Sequence, residues 1–184
     1  MPRLRQTGNM EVETRRMADA AIIREAGGED LDDVVQQIWD VATEARWLGT
    51  EVPFDRDVRR SRLDALLTGA SSTLLVADTS TAGGPGLVGH ISVAIAPYGV
   101  ADIGMLIIAG WRGLGLGKRL LDASIEWSTA AGAHKMALEV WPHNSSALEL
   151  YRRAGFVEEG RKRRHYRRRN GEIWDAVLMG RPLP

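Results

Sequence analysis

The stretch Arg112-Gly113-Leu114-Gly115-Leu116-Gly117-Lys118 constrains the fold more than any other part of this chain. An apolar run over 103–109 precedes it, and Leu114, Leu120, Leu121 and Ile125 recur at helical spacing. That order predicts a strand, a glycine-rich turn and a helix. Three glycines at alternate positions let a ligand approach the backbone. They also free several N–H groups at a helix start, where the dipole favours an anion. The group this chemistry suits is a phosphate or pyrophosphate. Two nucleotide motifs fail on spacing. A dinucleotide fingerprint needs G-x-G-x-x-G, whereas this loop runs G-x-G-x-G. A Walker A loop needs glycine at 112 and Ser or Thr at 119, where arginines stand. A turn with no ligand is the alternative at this level.

The chain has 184 residues, a formal net charge of zero and no cysteine. That length suits one domain with a sizeable core. Without cysteine there is no disulfide, no thiolate metal site and no cysteinyl intermediate; no metal is expected, and a cytoplasmic location is. No apolar stretch is long enough to span a membrane, and the N-terminus lacks the apolar segment of a signal peptide. Charge is uneven: about −5 up to Val100 and about +5 beyond it. The basic half contains the glycine loop, which suits an anionic ligand.

Along the chain, 1–20 is polar and without period, and reads as a flexible N-terminal arm before a domain over 21–184. A short strand is expected at 21–24. Asp30 is placed to cap a helix with Leu31, Val34, Val35, Ile38, Val41 and Ala45 on one face. A second helix follows Phe54 and stops at Gly69. Strands are expected over 73–77 and 87–96, around a small-residue loop at 79–86. The strand over 102–109 feeds the glycine loop. Its helix ends near Gly132, and a strand over 135–141 follows. A short helix starts at Asn144 or Ser145 and ends at Gly155. A basic strand over 156–169 then turns at Asn170-Gly171, and 172–179 returns. The result is an α/β fold: a single-domain mixed sheet of about seven strands flanked by about four helices.

The glycine loop, R-x-x-G-x-G, and the downstream N-x-x-A-x-x-L-Y from Asn144 to Tyr151, with Gly155-Phe156 behind it, resemble the GCN5-related N-acetyltransferase family. The resemblance is specific over about 102–156. It implies that the loop amides of Arg112, Gly113, Leu114, Gly115, Leu116, Gly117 and Lys118 hold the pyrophosphate of coenzyme A, with acetyl-CoA as donor. It implies backbone contacts from Leu106, Ile107 and Ile108 to the pantetheine arm, one N–H polarising the acetyl carbonyl. Ala109-Gly110 departs from the Pro-x often found there. Asn144 suits a helix N-cap, to which the resemblance adds a polar contact to the coenzyme arm.

Acetyl transfer to an amine needs the amine deprotonated and the leaving thiolate protonated. The resemblance makes Glu139, five residues before Asn144, the base, often acting through water; the alternative is a solvent-facing or arginine-paired carboxylate. Asp102 is the second candidate base. The resemblance makes Tyr151 the acid at the coenzyme sulfur; the alternative is an aromatic that packs its helix on the sheet. His143 reads as a turn residue. The expected function is acetyl-CoA-dependent N-acetyl transfer to a primary amine, by direct transfer in a ternary complex. A non-catalytic acyl-CoA-binding or sensing module on the same fold is the alternative.

The basic run at 161–169 reads as a solvated hairpin whose long side chains lie over the sheet edge. Its other readings are an acidic acceptor, a subunit contact or a nucleic-acid surface. Only Tyr166 interleaves, so there is no stacking platform and nucleic acid is disfavoured. A homodimer is left open. The acceptor is a small molecule or peptide amine. Family specificity comes largely from the early helices and the last hairpin, and Trp39, Trp47, Leu48 and Phe54 lie in that early region.

Overall fold

The computed structural model describes residues 3–184. The chain runs α1 (Arg3–Ala20), β1 (Ile22–Glu25), α2 (Leu31–Thr43), α3 (Arg56–Thr68), β2 (Ser72–Asp78), β3 (Leu87–Ile95), β4 (Val100–Ile107), α4 (Leu116–Ala130), β5 (Lys135–Val140), α5 (Ser145–Arg153), β6 (Val157–Arg167) and β7 (Ile173–Pro182). The seven strands form one sheet in the order β1-β2-β3-β4-β5-β7-β6.

The sheet is the middle of three layers because its central strands are apolar on both faces. On β2, Leu75 and Ala77 join a core cluster with Ala18, Leu116, Leu120, Leu121, Leu148 and Tyr151. Leu74 and Val76 point the other way, to a second cluster with Leu31, Val34, Val35, Ile38, Val41 and Leu63. Helices α1, α4 and α5 therefore cover one face, and α2 and α3 the other.

Two local expectations change. The sequence suggests an arm over 1–20, but Arg3–Ala20 is helical. Its last turn packs Met17 and Ala18 against the main core. Arg119 closes its C-terminal end, donating from Nη1 to Ala18 O at 3.0 Å and from Nη2 to Ala21 O at 2.5 Å. A mostly polar helix docked by one turn shows no apolar period, and its capping arginine lies far along the chain. Asp30 does not cap α2 with its side chain. It accepts from Arg24 at 2.7 and 2.9 Å and from Gly27 N at 2.7 Å, and so ties the end of β1 to the helix entry. Asp55 does act as a cap, accepting from Val58 N at the start of α3.

The feature that positions the site is the pairing of β4 with β5, joined by the crossover helix α4. They are parallel neighbours over three residue pairs only: Val100–Lys135, Ala101–Met136 and Asp102–Ala137. Beyond that point β4 stays with β3 as far as Ile107–Gly89. β5 stays with β7 on its other edge throughout, from Lys135–Pro182 to Val140–Val177. The two strands part at their C-terminal ends and leave a gap in the sheet.

Candidate active site

Helix α4 starts at the upper end of this gap. Its N-cap, Gly115, has φ 87°, and Gly113 has φ 75°; both are left-handed values that favour glycine. Among the described residues, the backbone N–H groups of Arg112, Gly113, Leu114, Gly115, Leu116, Gly117 and Lys118 donate no backbone hydrogen bond. Nothing lies within 4 Å of the place a Cβ would take on Gly113 or Gly115. Seven unused donors, open space and a helix N-terminus together fit the pyrophosphate of coenzyme A. The Lys118 side chain is engaged with Asp122 at 2.5 Å, so its contribution to the nest is its N–H.

The Arg112 side chain is directed elsewhere. Its guanidinium grips Glu44, just past α2, with Nη1 and Nη2 at 2.7 and 2.5 Å, and Nε donates to Ile107 O at 2.8 Å. Of the three residues expected to offer backbone groups to the gap, Ile108 donates its N–H to Val88 O on β3. Backbone groups alternate edges along a strand, so Leu106 also faces β3, while Ile107 and Met105 face the gap. Met105 is a residue the sequence reading omits; its signal is parity along β4, which needs the β3 register.

Two carboxylates stand where the strands separate. Asp102 is the last β4 residue paired with β5, and Glu139 lies two residues past Ala137 on the same face. That face is the α2–α3 side, since Met136, Leu138 and Val140 point to the other cluster. Glu139 forms an ion pair with Lys162 and accepts from the Tyr166 hydroxyl. Partial burial pushes the Glu139 carboxyl up. The hydrogen bonds from Lys162 and Tyr166 outweigh that, helped by the charges of Lys162 and His165, and hold it below the usual range. Asp102 moves the opposite way, raised by partial burial and then by the neighbouring charge of Glu139. Lys162 and Tyr166 belong to the basic run; the lone aromatic in that run was the available signal for them.

Tyr151 comes from α5 on the other side of the sheet. It is 7% exposed and packs 5.7 Å from Phe156. Burial raises its phenol to about 12. The fully enclosed side-chain polar atoms without a partner are Gln37 Nε2, Ser128 Oγ and Arg168 Nη2 among the described residues, so the Tyr151 oxygen retains access to solvent. Asn144 is the N-cap of α5, accepting from Ala147 N at 3.3 Å.

Beyond Glu139 an aromatic wall continues on the α2–α3 side. Trp141 meets Tyr166 and Trp174 edge-on, with centroids 5.2 and 5.4 Å away. Trp174 meets His143 at 4.8 Å, and His143 lies 6.5 Å from Trp47. The loop at 44–55 lies against this wall. His143 Nε2 contacts Arg46 O at 2.8 Å, and Arg168 donates to Gly49 O at 3.1 Å. Arg169 donates to Val52 O and Pro53 O at 2.7 and 2.9 Å. Arg161 is paired with Asp175 at 2.9 Å. Much of the basic run is thus consumed inside the molecule.

Among the described residues no group of His, Asp and Glu is arranged to hold a metal ion, and no helix is long and apolar enough to cross a membrane. The model of the Acetyltransferase (GNAT) family matches residues 37–156. The chain is 29% identical over 146 residues to an L-methionine sulfoximine/L-methionine sulfone acetyltransferase of Pseudomonas paraeruginosa, covering 77% of this chain and 83% of the relative. It is 30% identical over 100 residues to the L-amino acid N-acetyltransferase AaaT of Escherichia coli, covering 52% of this chain and 61% of that one. Its fold matches that of the Salmonella typhimurium protein yncA, solved with its cofactor acetyl-CoA, with TM-score 0.79 and 18% identity over 89% of this chain and 94% of the other. With the amide nest, the parted strands and the family match in agreement, the chain belongs to the Acetyltransferase (GNAT) family and is an N-acetyltransferase that takes acetyl-CoA as donor.

Proposed function

We propose that this enzyme acetylates the amine of a small amino acid or amino-acid analogue, by direct transfer while donor and acceptor are bound together. The observation that carries the reading is the gap between β4 and β5. It has unused loop amides at its upper end and Asp102 with Glu139 where it opens toward α2 and α3. Tyr151 approaches from the opposite layer. An acceptor entering on the carboxylate side and a thioester lying along the gap bring the reacting groups together with no covalent enzyme intermediate. The names of the two relatives, which act on L-amino acids or methionine derivatives, favour this acceptor class.

In this reading the loop N–H groups bind the pyrophosphate, and the Met105 and Ile107 backbone borders the pantetheine arm. The Ile107 N–H is the donor suited to polarise the acetyl carbonyl. An ammonium acceptor is attracted by both carboxylates. Glu139, held charged by Lys162 and Tyr166, orients it. Asp102, raised by partial burial and by the charge of Glu139, takes the proton, directly or through water. The free amine then forms the C–N bond, the C–S bond breaks, and the Tyr151 hydroxyl supplies a proton to the departing sulfur; the second proton, shed by the new amide nitrogen, returns through water to the phenolate. The Asn144 side chain closes α5 and leaves its amide N–H groups for the coenzyme arm.

The test is a panel of amino acids, their sulfone and sulfoximine analogues, simple amines and peptides, offered with acetyl-CoA and read as free thiol. Turnover with the amino-acid class supports the proposal. Turnover confined to peptides would move the acceptor to a protein terminus or lysine. Tight acetyl-CoA binding with no thiol release from any amine would favour the non-catalytic acyl-CoA-binding module.

A further inference from the structure

We propose that Arg112 is a positioning residue that couples occupancy of the glycine loop to the acceptor wall through Glu44 and Trp47. The inference rests on the glycine loop as donor site and the aromatic wall as acceptor side, as read above. Arg112 opens the glycine loop in sequence, yet its guanidinium makes two hydrogen bonds to Glu44 and one to Ile107 O. Glu44 in turn accepts from Trp47 Nε1 at 2.7 Å. The Arg112 guanidinium also lies 5.5 Å from the centre of the Trp47 ring. Trp47 is the near end of the aromatic series that runs through His143, Trp174 and Trp141 to Tyr166 and Glu139.

The arrangement joins three pieces of chain that share no strand pairing: the cofactor loop, the end of α2 and the wall beside β5 and β7. The bond to Glu44 spans 68 positions of sequence. Both side chains are about one-third exposed, at 35% and 31%, which leaves them free to shift without disturbing the core. The guanidinium fork fixes orientation as well as charge, because two parallel bonds on one carboxylate and a third to a carbonyl leave it a single geometry. A loop that tightens around a pyrophosphate moves the Arg112 backbone. The fork transmits that movement to Glu44 and to the indole that hydrogen-bonds it. Coupling of this kind is reciprocal, so the acceptor must also tighten the donor.

The first measurement is hydrogen exchange on the whole chain with and without coenzyme A, which needs no acceptor. In the wild type, coenzyme A should slow exchange at 112–118 and also at 44–48. In Glu44→Gln, the protection at 112–118 should persist and that at 44–48 should be lost. If the wild type is protected at 112–118 alone, the coupling is absent and the proposal is overturned. If neither segment responds, the donor-site reading has failed, which is a different result. The second measurement is steady-state kinetics of Glu44→Gln and Arg112→Lys with the best amine of the panel. The acceptor KM should rise about fivefold, at the low end for coupled sites because the pair is partly exposed, with acetyl-CoA affinity little changed. Arg112→Lys keeps the charge but not the fork, and should behave like Glu44→Gln. A rise in the acetyl-CoA Kd with the acceptor KM unchanged would make Arg112 a donor ligand and overturn the proposal.

Discussion

Tyr151→Phe removes one oxygen from a ring set in the main core beside Phe156. The structure separates its effect on stability from its effect on rate. The hydroxyl has no hydrogen-bond partner among the described residues, so none is left stranded, and the variant should lie within about 1 kcal/mol of wild type. For a chain of this length that is a Tm change of no more than about 4 °C. The rate should respond far more. Burial raises the phenol from 10 to about 12, which disfavours the phenolate. A thiol near pKa 8.5 is the stronger acid, so proton donation from this phenol is uphill overall. The loss should therefore fall at the lower end of general acid catalysis, about 100-fold in kcat. Acetyl-CoA affinity should change little, since the ring remains. The sign of the pH effect is also set. The phenol stays protonated below about 12, so Tyr151 produces no falling limb in the rate between pH 7 and 10. Its contribution to stability is complete below the unfolded value near 10 and is lost only as pH rises toward 12. The assay combines single-turnover transfer, which isolates chemistry, with calorimetry for acetyl-CoA and a thermal melt. Wild-type single-turnover rates for Tyr151→Phe would remove the tyrosine from proton donation and leave it a packing residue.

Asp102→Asn should lower kcat/KM at neutral pH and recover part of it as pH approaches the pKa of the amine, about 10²-fold at neutrality; an unchanged pH–rate profile would return the base to Glu139 or to water. Glu139→Gln should act mainly on acceptor KM, because the lost charge orients the ammonium, and a pure kcat loss would contradict that division. Gly115→Ala forces a side chain into a left-handed residue with nothing crowding it. The strain of about 1–2 kcal/mol should weaken acetyl-CoA binding by about 5- to 30-fold by calorimetry, and unchanged affinity would take Gly115 out of the nest. His90 is buried against Gln37, and burial lowers it to about 4. It stays neutral in the fold while the unfolded chain protonates below about 6.5, so stability is full above that value and declines toward pH 4. Urea unfolding at pH 7 and 4.5 should show His90→Met losing on the order of 2 kcal/mol less than wild type, and parallel losses would mean His90 titrates alike in both states.

What the sequence determined alone is what depends on neighbours along the chain. Alternate glycines before an apolar stripe specify a strand, a tight turn and a helix with unused amides, and Asn144 followed by Ala147 specifies a capped short helix. Two-sided apolar strands require helices on both faces, so the layered α/β architecture was legible too. Tertiary structure decided whatever joins distant segments. The gap exists because the β4 edge of β5 is left unpaired after Ala137 while its other edge stays with β7 to Val140, a divergence set by the path of the strands and not by any local residue. Glu139 is held charged because Lys162 and Tyr166 fold back from β6, while burial and the charge of Glu139 raise Asp102. Arg112 reads as part of a phosphate loop, but Glu44, far upstream, supplies a carboxylate at hydrogen-bond distance that its planar fork matches. Local backbone preference and apolar period act over a few residues and survive in the sequence. Charge pairing and the parting of strands act through space, and they appear only when the chain has closed on itself.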